Sequence, residues 1–250
     1  MKTVIDNFSE RAKTYSKFRP VYPENLYDFV YSHVENFDSA WDCGTGNGQV
    51  AVELSKKFNK VFATDISEAQ LAEAPAKPNI FYSNVRAEKT DFPDNSFDLI
   101  TVAQAYHWFD QRAFLSEAKR VVKHSGILAV WGYNLLKIDQ EIDDMIRNFH
   151  DDIVGGYWNA ERKIVDDNYK NILFLKDEIA VPKFELETEW KFEQLIGYLT
   201  SWSAVNTYQK STGKNPLDLI EPKLAKVWGN KETYPVKFPL FLRLGKVEKS

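Results

Sequence analysis

The residues 44–48, Gly-Thr-Gly-Asn-Gly, directly follow the apolar segment SAWDC and form the first pattern in the chain that could do chemistry. A backbone that turns sharply and lets a ligand approach closely has no room for a side chain, which requires glycine at Gly44 and Gly46. Such loops bind nucleotides at the carboxyl ends of parallel strands. The Gly-Lys-Ser/Thr ending of a phosphate-binding loop is absent here, and the third glycine comes one residue too early for a dinucleotide fingerprint.

Asp65 ends the next predicted strand, KVFATD. A carboxylate in this position accepts two hydrogen bonds from a ribose diol and repels a 2′-phosphate. The pattern therefore predicts a ligand with an unmodified ribose. An alternative is that Asp65 is only an acid at the start of a helix, beside Ser67.

The composition excludes several classes of function. The chain has 250 residues, a formal charge of −4, and 14% aromatic residues, which would suit either a bulky core or an aromatic pocket. An acidic chain disfavours a nucleic-acid partner. One cysteine and four scattered histidines indicate no disulfide within the chain and no metal site. No membrane span or signal peptide is visible, so we expect a cytoplasmic protein.

Strands and helices must position these residues. Between residues 38 and 133 they alternate, which predicts an α/β fold with a parallel sheet covered on both faces. We expect a single domain over 1–250. It would comprise an N-terminal helical cap (1–36), a cofactor-binding core (37–134), helical cap insertions with a sixth strand (135–232), and a closing strand (233–250). Pro239 within the closing strand is expected at an edge or a bulge.

The segments WDCGTGNGQ, ATDIS and VRAEKTDFPDNSFDLITVAQAYHWFD come in an order and at separations that resemble the class I S-adenosylmethionine-dependent methyltransferases. The segments FSERAKTYSKFRPVYP and AQAYHWFD are similar to a subgroup that contains the trans-aconitate-type enzymes, which methylate small carboxylic acids. The resemblance implies a Rossmann-like sheet of seven strands, mostly parallel, with an antiparallel last strand. It also implies helices on both faces and a helical substrate cap.

The same resemblance assigns contacts to S-adenosylmethionine. The backbone of Gly44, Thr45 and Gly46 would follow the methionine part and ribose, and Asp65 would hold the ribose hydroxyls. Further contacts are implied for Ile66, which packs on the adenine, for Ala87 and Glu88 at the adenine edge, and for Gln104, whose carbonyl faces the ammonium. Arg86 departs from the small or acidic residue common at its position, which weakens any side-chain contact to the adenine amine.

Tyr106, His107 and Trp108 follow the fourth predicted strand, and the resemblance implies that they face the transferred methyl group. His107 could act as a base, donate a hydrogen bond to a substrate carboxylate, or cap the next helix. Trp108 could form a pocket wall or a cation–π contact. We take His107 and Trp108 as candidate catalytic residues and Tyr106 as a candidate substrate contact.

Two further groups complete the predicted site. Tyr15 and Arg19 lie four residues apart in the N-terminal cap, and Arg19 could bind the carboxylate of the cofactor or of the substrate, or form a surface ion pair. Trp202 and Tyr208 lie in the predicted cap insertion and are candidates for substrate binding, although an aromatic helix is more often plain core.

The resemblance implies a methyltransferase for a small molecule, with O-methylation of a carboxylate as the reaction. A carboxylate is ionised at neutral pH and needs no base, whereas a hydroxyl or amine would need one. The alternatives are methyl transfer to a lipid, a ring carbon, nitrogen or sulfur, or a non-catalytic protein that binds S-adenosylmethionine. A nicotinamide oxidoreductase is disfavoured because no Tyr-x-x-x-Lys pair follows the fourth strand. We expect a monomer or a homodimer.

Overall fold

A single mixed sheet organises the part of the chain that the computed structural model describes, residues 21–170 and 175–247. Its strands are β1 (Ser39–Cys43), β2 (Lys60–Asp65), β3 (Ile80–Asn84), β4 (Phe97–Ala103), β5 (Val122–Tyr133), β6 (Leu175–Glu178), β7 (Phe184–Trp190) and β8 (Tyr234–Val247). The order across the sheet is β3-β2-β1-β4-β5-β8, with β6 and β7 beyond β8. Strands β1 to β5 pair in parallel and β8 pairs antiparallel with β5.

The far edge of β8 carries two strands end to end. Gly245 pairs with Leu128 of β5 and with Glu178 of β6, while Leu240 lies between β5 and Phe184 of β7. The eight strands therefore fill seven positions, and β8 alone runs against the others. This confirms the predicted mostly parallel sheet with an antiparallel last strand. The sequence patterns missed β6, a four-residue strand whose LKDE sequence has no apolar alternation.

The described helices are short and lie on both sides of the sheet. They are α1 (Glu24–Tyr31), α2 (Gln49–Leu54), α3 (Glu68–Ala72), α4 (Gln111–Val121), α5 (Gln140–Asn148), α6 (Arg162–Asp166), α7 (Phe192–Thr200), α8 (Ser203–Thr212) and α9 (Glu221–Trp228). Strand residues alternate between two buried clusters: Ala40 and Trp131 face α1, α2 and the C-terminal helices, whereas Trp41 and Val130 face α4 and α6. Burial on both faces is what a parallel sheet requires.

Pro239 lies inside β8, at a position where the ladder tolerates it. The last pair between β5 and β8 is Tyr133 with Leu240, so Pro239 comes just beyond the end of β5. Its carbonyl accepts a hydrogen bond of 3.0 Å from the backbone N–H of Asn134. The missing N–H of proline therefore interrupts no pair with β5.

The structure describes only part of the residues on which the remaining sequence predictions depend. Tyr15 and Arg19 lie outside the described residues, so their contacts stay predictions. Across residues 21–170 and 175–247, no helix has the length and apolar character needed to cross a bilayer. The same residues contain no group of three or more His, Cys, Asp or Glu side chains arranged to hold a metal ion.

Candidate functional site

The glycine loop leaves β1 with three left-handed residues, since Gly44, Gly46 and Gly48 have φ angles of 69°, 57° and 80°. Most of its backbone donors are used within the protein. The N–H groups of Gly44 and Thr45 both donate to the carbonyl of Thr64, that of Gly48 donates to the carbonyl of Thr45, and that of Gly46 donates to Asp65. A phosphate cradle requires N–H groups directed at the ligand. In this loop, the N–H groups of Gly44, Thr45, Gly46 and Gly48 already donate to protein acceptors. The loop is therefore unsuited to binding phosphate, in agreement with the absence of a phosphate-binding sequence.

Gly44 and Gly46 need glycine for different reasons. A Cβ on Gly44 would lie 2.6 Å from Cβ of Ala105 and 3.2 Å from Cζ of Phe109, so this residue is pressed against the turn that follows β4. A Cβ on Gly46 would meet only Oε1 of Gln70, at 3.8 Å. Close protein packing therefore dictates the first glycine, whereas the space above the second is where a ligand could approach the backbone.

The carboxylate of Asp65 joins the glycine loop to the start of α3. Its Oδ2 accepts a hydrogen bond of 2.8 Å from the N–H of Gly46, and its Oδ1 accepts one of 2.9 Å from the N–H of Ser67. The contact to Ser67 matches the alternative that Asp65 is an acid at the start of a helix. The contact to Gly46 shows that Asp65 also fixes the glycine loop. A carboxylate has lone pairs for more than two donors. The geometry is therefore compatible with a ribose diol on the same group.

Asp42 lies beneath the loop and is almost fully buried, with 1% of its surface exposed. Its carboxylate accepts hydrogen bonds from the hydroxyls of Thr45, at 2.5 Å, and Thr101, at 2.8 Å. Burial raises the pKa of Asp42 to about 6, although these hydroxyl donors act in the opposite direction. The side chain of Thr45 is thus directed into the protein, so any cofactor contact of Thr45 would come from its backbone.

The predicted adenine side shows an exposed apolar residue next to an ordered loop. The side chain of Ile66 is 39% exposed, an unusual state for an isoleucine that a flat ring could cover. Ala87 is buried, and Oε1 of Glu88 accepts a hydrogen bond of 2.9 Å from the N–H of Asp110 at the start of α4. Arg86, the departure from the family pattern, pairs with Glu88 at 3.2 Å. Glu88 therefore links the loop at residues 86–88, which is predicted to border the adenine, to the segment that carries His107.

Gln104 follows β4 in a left-handed conformation with a φ of 51°. Its side-chain Nε2 donates to the carbonyl of Tyr133 at 3.2 Å, which orients the amide at the carboxyl ends of β4 and β5. Gln70, which the sequence patterns did not single out, is 3% exposed beside Gly46, and its Nε2 has no hydrogen-bond partner among the described residues. A buried amide donor without an acceptor is costly in a folded protein.

His107 lies in a 3-10 turn, Tyr106–Trp108, and is 8% exposed. Its ring lies 4.7 Å from that of the half-buried Trp108. Tyr106 is 1% exposed and packs edge-on against Phe114, so a packing role accounts for its position and substrate contact stays a prediction. The helix-cap alternative for His107 is wrong, because the side chain that caps α4 is Asp110, which accepts the N–H of Ala113.

The structure adds a partner for His107 that the sequence patterns did not find. Tyr169, just after α6, is fully buried, and its hydroxyl lies 2.9 Å from Nδ1 of His107. Nothing in the surrounding sequence, VDDNYK, distinguishes this tyrosine from a turn residue. The contact spans 62 positions along the chain, so only tertiary structure reveals it.

Trp202 and Tyr208 do not join this group of residues. Trp202 is 8% exposed and its ring lies 5.9 Å from Phe149 and 5.5 Å from Trp158, among the helices on the other face of the sheet. Tyr208 packs against Tyr157 at 4.8 Å. Both side chains therefore have partners that account for their positions, and a role in substrate binding stays a prediction.

The arrangement as a whole suits a nucleoside ligand. The open glycine backbone at Gly46, the carboxylate of Asp65 and the exposed side chain of Ile66 lie along the carboxyl ends of β1 and β2. The turn with His107 borders the same loop through Gly44. Such an edge of a parallel sheet is where α/β folds bind ligands.

Comparisons with known proteins identify methyltransferases as relatives of this chain. A family model described as a methyltransferase domain matches residues 41–130. A Dictyostelium discoideum protein named as a methyltransferase is 36% identical over 251 residues, which covers 97% of this chain and 95% of that protein. An Aspergillus terreus methyltransferase is 30% identical over 72% of this chain and 61% of its own length. The solved structure of a protein described as a type II methyltransferase from Anaeromyxobacter dehalogenans superposes with a TM-score of 0.84 at 33% identity, covering 93% of this chain and 99% of that one.

Proposed function

Since this chain belongs to the class I S-adenosylmethionine-dependent methyltransferases, we propose that it methylates a small molecule and that the acceptor is a carboxylate oxygen. When bound, the cofactor supplies an electrophilic methyl group that the acceptor oxygen takes in an in-line displacement, leaving S-adenosylhomocysteine and an ester. The residues of the chain then have three tasks: to hold the two reactants in line, to exclude water, and to orient the acceptor.

Cofactor binding is assigned to the loop and its supporting acid. The open backbone at Gly46 would border the methionine and ribose parts, Asp65 would accept from the ribose hydroxyls, and Ile66 would cover one face of the adenine. Ala87 and Glu88 would border the adenine edge, and the oriented amide of Gln104 lies where the ammonium of the cofactor is expected. Each role follows from position and chemistry, and each can be tested separately by substitution.

The state of the acids in the predicted site is the observation that carries the carboxylate proposal. Among the described residues of the site, the carboxylate of Asp65 accepts hydrogen bonds from the backbone N–H groups of Gly46 and Ser67. Glu88 accepts one from the N–H of Asp110, and Asp42 is buried beneath the loop. These carboxylates serve the backbone and the core, so His107 is the remaining candidate for a base. A carboxylate acceptor is already ionised at neutral pH and needs none.

The burial of the turn supports the same acceptor. Tyr106 and His107 are at most 8% exposed, and Phe109 closes over Gly44. Methyl transfer to a carboxylate consumes an anion and a cation and yields two neutral groups at the reacting centre. Water stabilises the separated charges, so a water-poor turn favours the reaction.

A turnover screen tests the proposal. Release of S-adenosylhomocysteine would be measured with di- and tricarboxylates, fatty acids, phenols and amines, and products would be identified by mass and by ester hydrolysis in alkali. We expect activity with one class of carboxylates and an alkali-labile product. Activity confined to amines or phenols would overturn the carboxylate assignment while leaving the family assignment intact.

A further inference from the structure

Tyr169 and His107 form a buried pair behind the site. Tyr169 is fully buried, His107 is 8% exposed, and the tyrosine hydroxyl lies 2.9 Å from Nδ1 of the imidazole. The planes of the two rings are inclined by 28°, with centroids 6.2 Å apart. The contact therefore fixes both the hydrogen bond and the plane of the histidine ring.

The tyrosine is held from several directions. Its ring packs edge-on against Tyr106 at 5.4 Å and against Phe241 at 5.0 Å. Its carbonyl accepts a hydrogen bond from Nη1 of Arg243 on β8, and that guanidinium is itself paired with Glu178 on β6. The hydroxyl is thus presented to His107 by a rigid frame that includes two strands of the sheet.

The backbone at this point is strained. Asn168 and Tyr169 are consecutive non-glycine residues with φ angles of 53° and 54°. Asparagine tolerates the left-handed region, but a bulky residue there costs on the order of 1 kcal/mol or more. Asn134, at the end of β5, donates through Nδ2 to Oδ1 of Asn168 at 2.8 Å and helps to hold the turn. Strain of this kind persists when surrounding contacts enforce it, and it is often found at functional sites.

We propose that Tyr169 is a positioning residue that donates its hydroxyl proton to Nδ1 of His107, and so keeps the proton of the neutral imidazole on Nε2. A phenol is a better donor than an imidazole N–H, and an imidazole nitrogen is a better acceptor than a phenol oxygen, which sets the direction of the bond. The partner of one ring nitrogen decides the state of the other. His107 would then act through Nε2–H as a hydrogen-bond donor to the acceptor carboxylate, and not as a base. The role of His107 as a hydrogen-bond donor rests on the proposed carboxylate acceptor. The assignment of its proton to Nε2 does not depend on the acceptor.

Nuclear magnetic resonance tests the tautomer without any turnover. Long-range proton–nitrogen spectra of the full chain, labelled with ¹⁵N-histidine and saturated with S-adenosylhomocysteine, report which nitrogen of each of the four histidines is protonated. His107→Gln identifies the His107 signals. We expect Nε2–H in the wild-type protein and a mixture of both tautomers in Tyr169→Phe. A wild-type signal with the proton on Nδ1 would overturn the inference.

Kinetics tests the donor role against the base role. Glutamine at position 107 can donate a hydrogen bond but cannot act as a base, so His107→Gln should keep activity within about tenfold of wild type, while His107→Ala should lose about a hundredfold or more. Wild-type kcat/KM should also stay level as the pH falls into the range where imidazoles become protonated. An acidic fall in kcat/KM together with an inactive His107→Gln would identify a base and contradict the donor role.

Tyr169→Phe separates positioning from packing, since it removes only the hydroxyl. We expect kcat/KM to fall about five- to tenfold, the size of one lost hydrogen bond, with unchanged affinity for S-adenosylhomocysteine. The matched control is Tyr27→Phe, because Tyr27 is also a buried tyrosine but its hydroxyl has no hydrogen-bond partner among the described residues. Unchanged kinetics in Tyr169→Phe, with the tautomer unaltered, would contradict the positioning role. If the screen finds a different acceptor class, the carboxylate proposal fails, and the spectra still decide the tautomer.

Discussion

The carboxylate of Asp65 accepts a hydrogen bond of 2.8 Å from the backbone N–H of Gly46, so the residue expected to hold the ribose also holds the loop beside it. The same carboxylate is thus expected to contact the ligand and also fixes the glycine loop. Removing it would remove a ligand contact and release the loop in the same step.

We therefore expect Asp65→Ala to weaken binding of S-adenosylhomocysteine at least tenfold, because charge-assisted hydrogen bonds contribute about 1.5–3 kcal/mol. Isothermal titration calorimetry measures the affinity. Glu68→Ala is the control, since Glu68 is an exposed acid three residues further along the same segment. Equal affinities for Asp65→Ala and wild type would show that the ribose assignment is wrong.

A second prediction concerns the packing of Gly44 against the turn of His107. Gly44→Ala would place a methyl group 2.6 Å from Cβ of Ala105 at a φ of 69°. Strain and overpacking together should lower the free energy of unfolding by about 2–5 kcal/mol. Gly213→Ala is the control, because Gly213 has a φ of 71° and no atom within 4 Å of the added Cβ.

Only the strain of a left-handed alanine applies at Gly213, so we expect a loss of about 1–2 kcal/mol there. Urea unfolding of both variants at the same pH gives the comparison. A similar loss at both positions would mean that Ala105 and Phe109 move aside readily, and that the loop and the turn are not tightly coupled.

The buried Asp42 predicts a dependence of stability on pH. Its pKa is raised from 3.8 to about 6, so the folded state holds this proton more tightly than the unfolded state does. The resulting stabilisation is complete below about pH 4 and is lost as the pH rises to about 6, which amounts to about 3 kcal/mol.

Asp42→Asn removes this titration while keeping the shape of the side chain. Urea unfolding without ligand, at several pH values between 4 and 7.5, should show the stability of wild type decreasing relative to Asp42→Asn as the pH rises. Parallel pH profiles for the two proteins would contradict the raised pKa.

The hydroxyl of Tyr27 predicts a stabilising substitution. The ring of Tyr27 packs edge-on against Trp131, and its hydroxyl is buried with no hydrogen-bond partner among the described residues, so folding removes the hydroxyl from water without compensation. Tyr27→Phe should therefore increase the free energy of unfolding by about 1 kcal/mol. Thermal or urea unfolding measures the change, and a loss of stability would indicate that the hydroxyl makes a bond not seen among the described contacts.

Local patterns in the sequence predicted the parallel sheet and the edge of the sheet where a ligand is expected. The alternation of apolar strands and amphipathic helices depends on neighbouring residues, and it predicted the parallel sheet. The antiparallel last strand was implied by the family resemblance. The glycine spacing and the acid that ends β2 predicted a ligand site at this edge of the sheet, because sharp turns and strand ends are local features of a sequence. The four charged and apolar residues of β6 carried no such pattern, and the antiparallel neighbour β8 alone makes them a strand.

Tertiary structure decided how the site is held. The packing of Ala105 on Gly44, the bond from Gly46 to Asp65, and the contact of Tyr169 with His107 each join residues far apart in the chain. The left-handed backbone of Tyr169 illustrates why sequence alone missed it, because a tyrosine has no local preference for that conformation. Contacts from β8 and from the end of β5 help to hold it, together with the backbone N–H of Tyr169, which donates to the carbonyl of Ile164. The sequence, through the family resemblance, predicted where the methyl donor would bind, whereas the fold decided which nitrogen of His107 faces Tyr169 and how the ring is held.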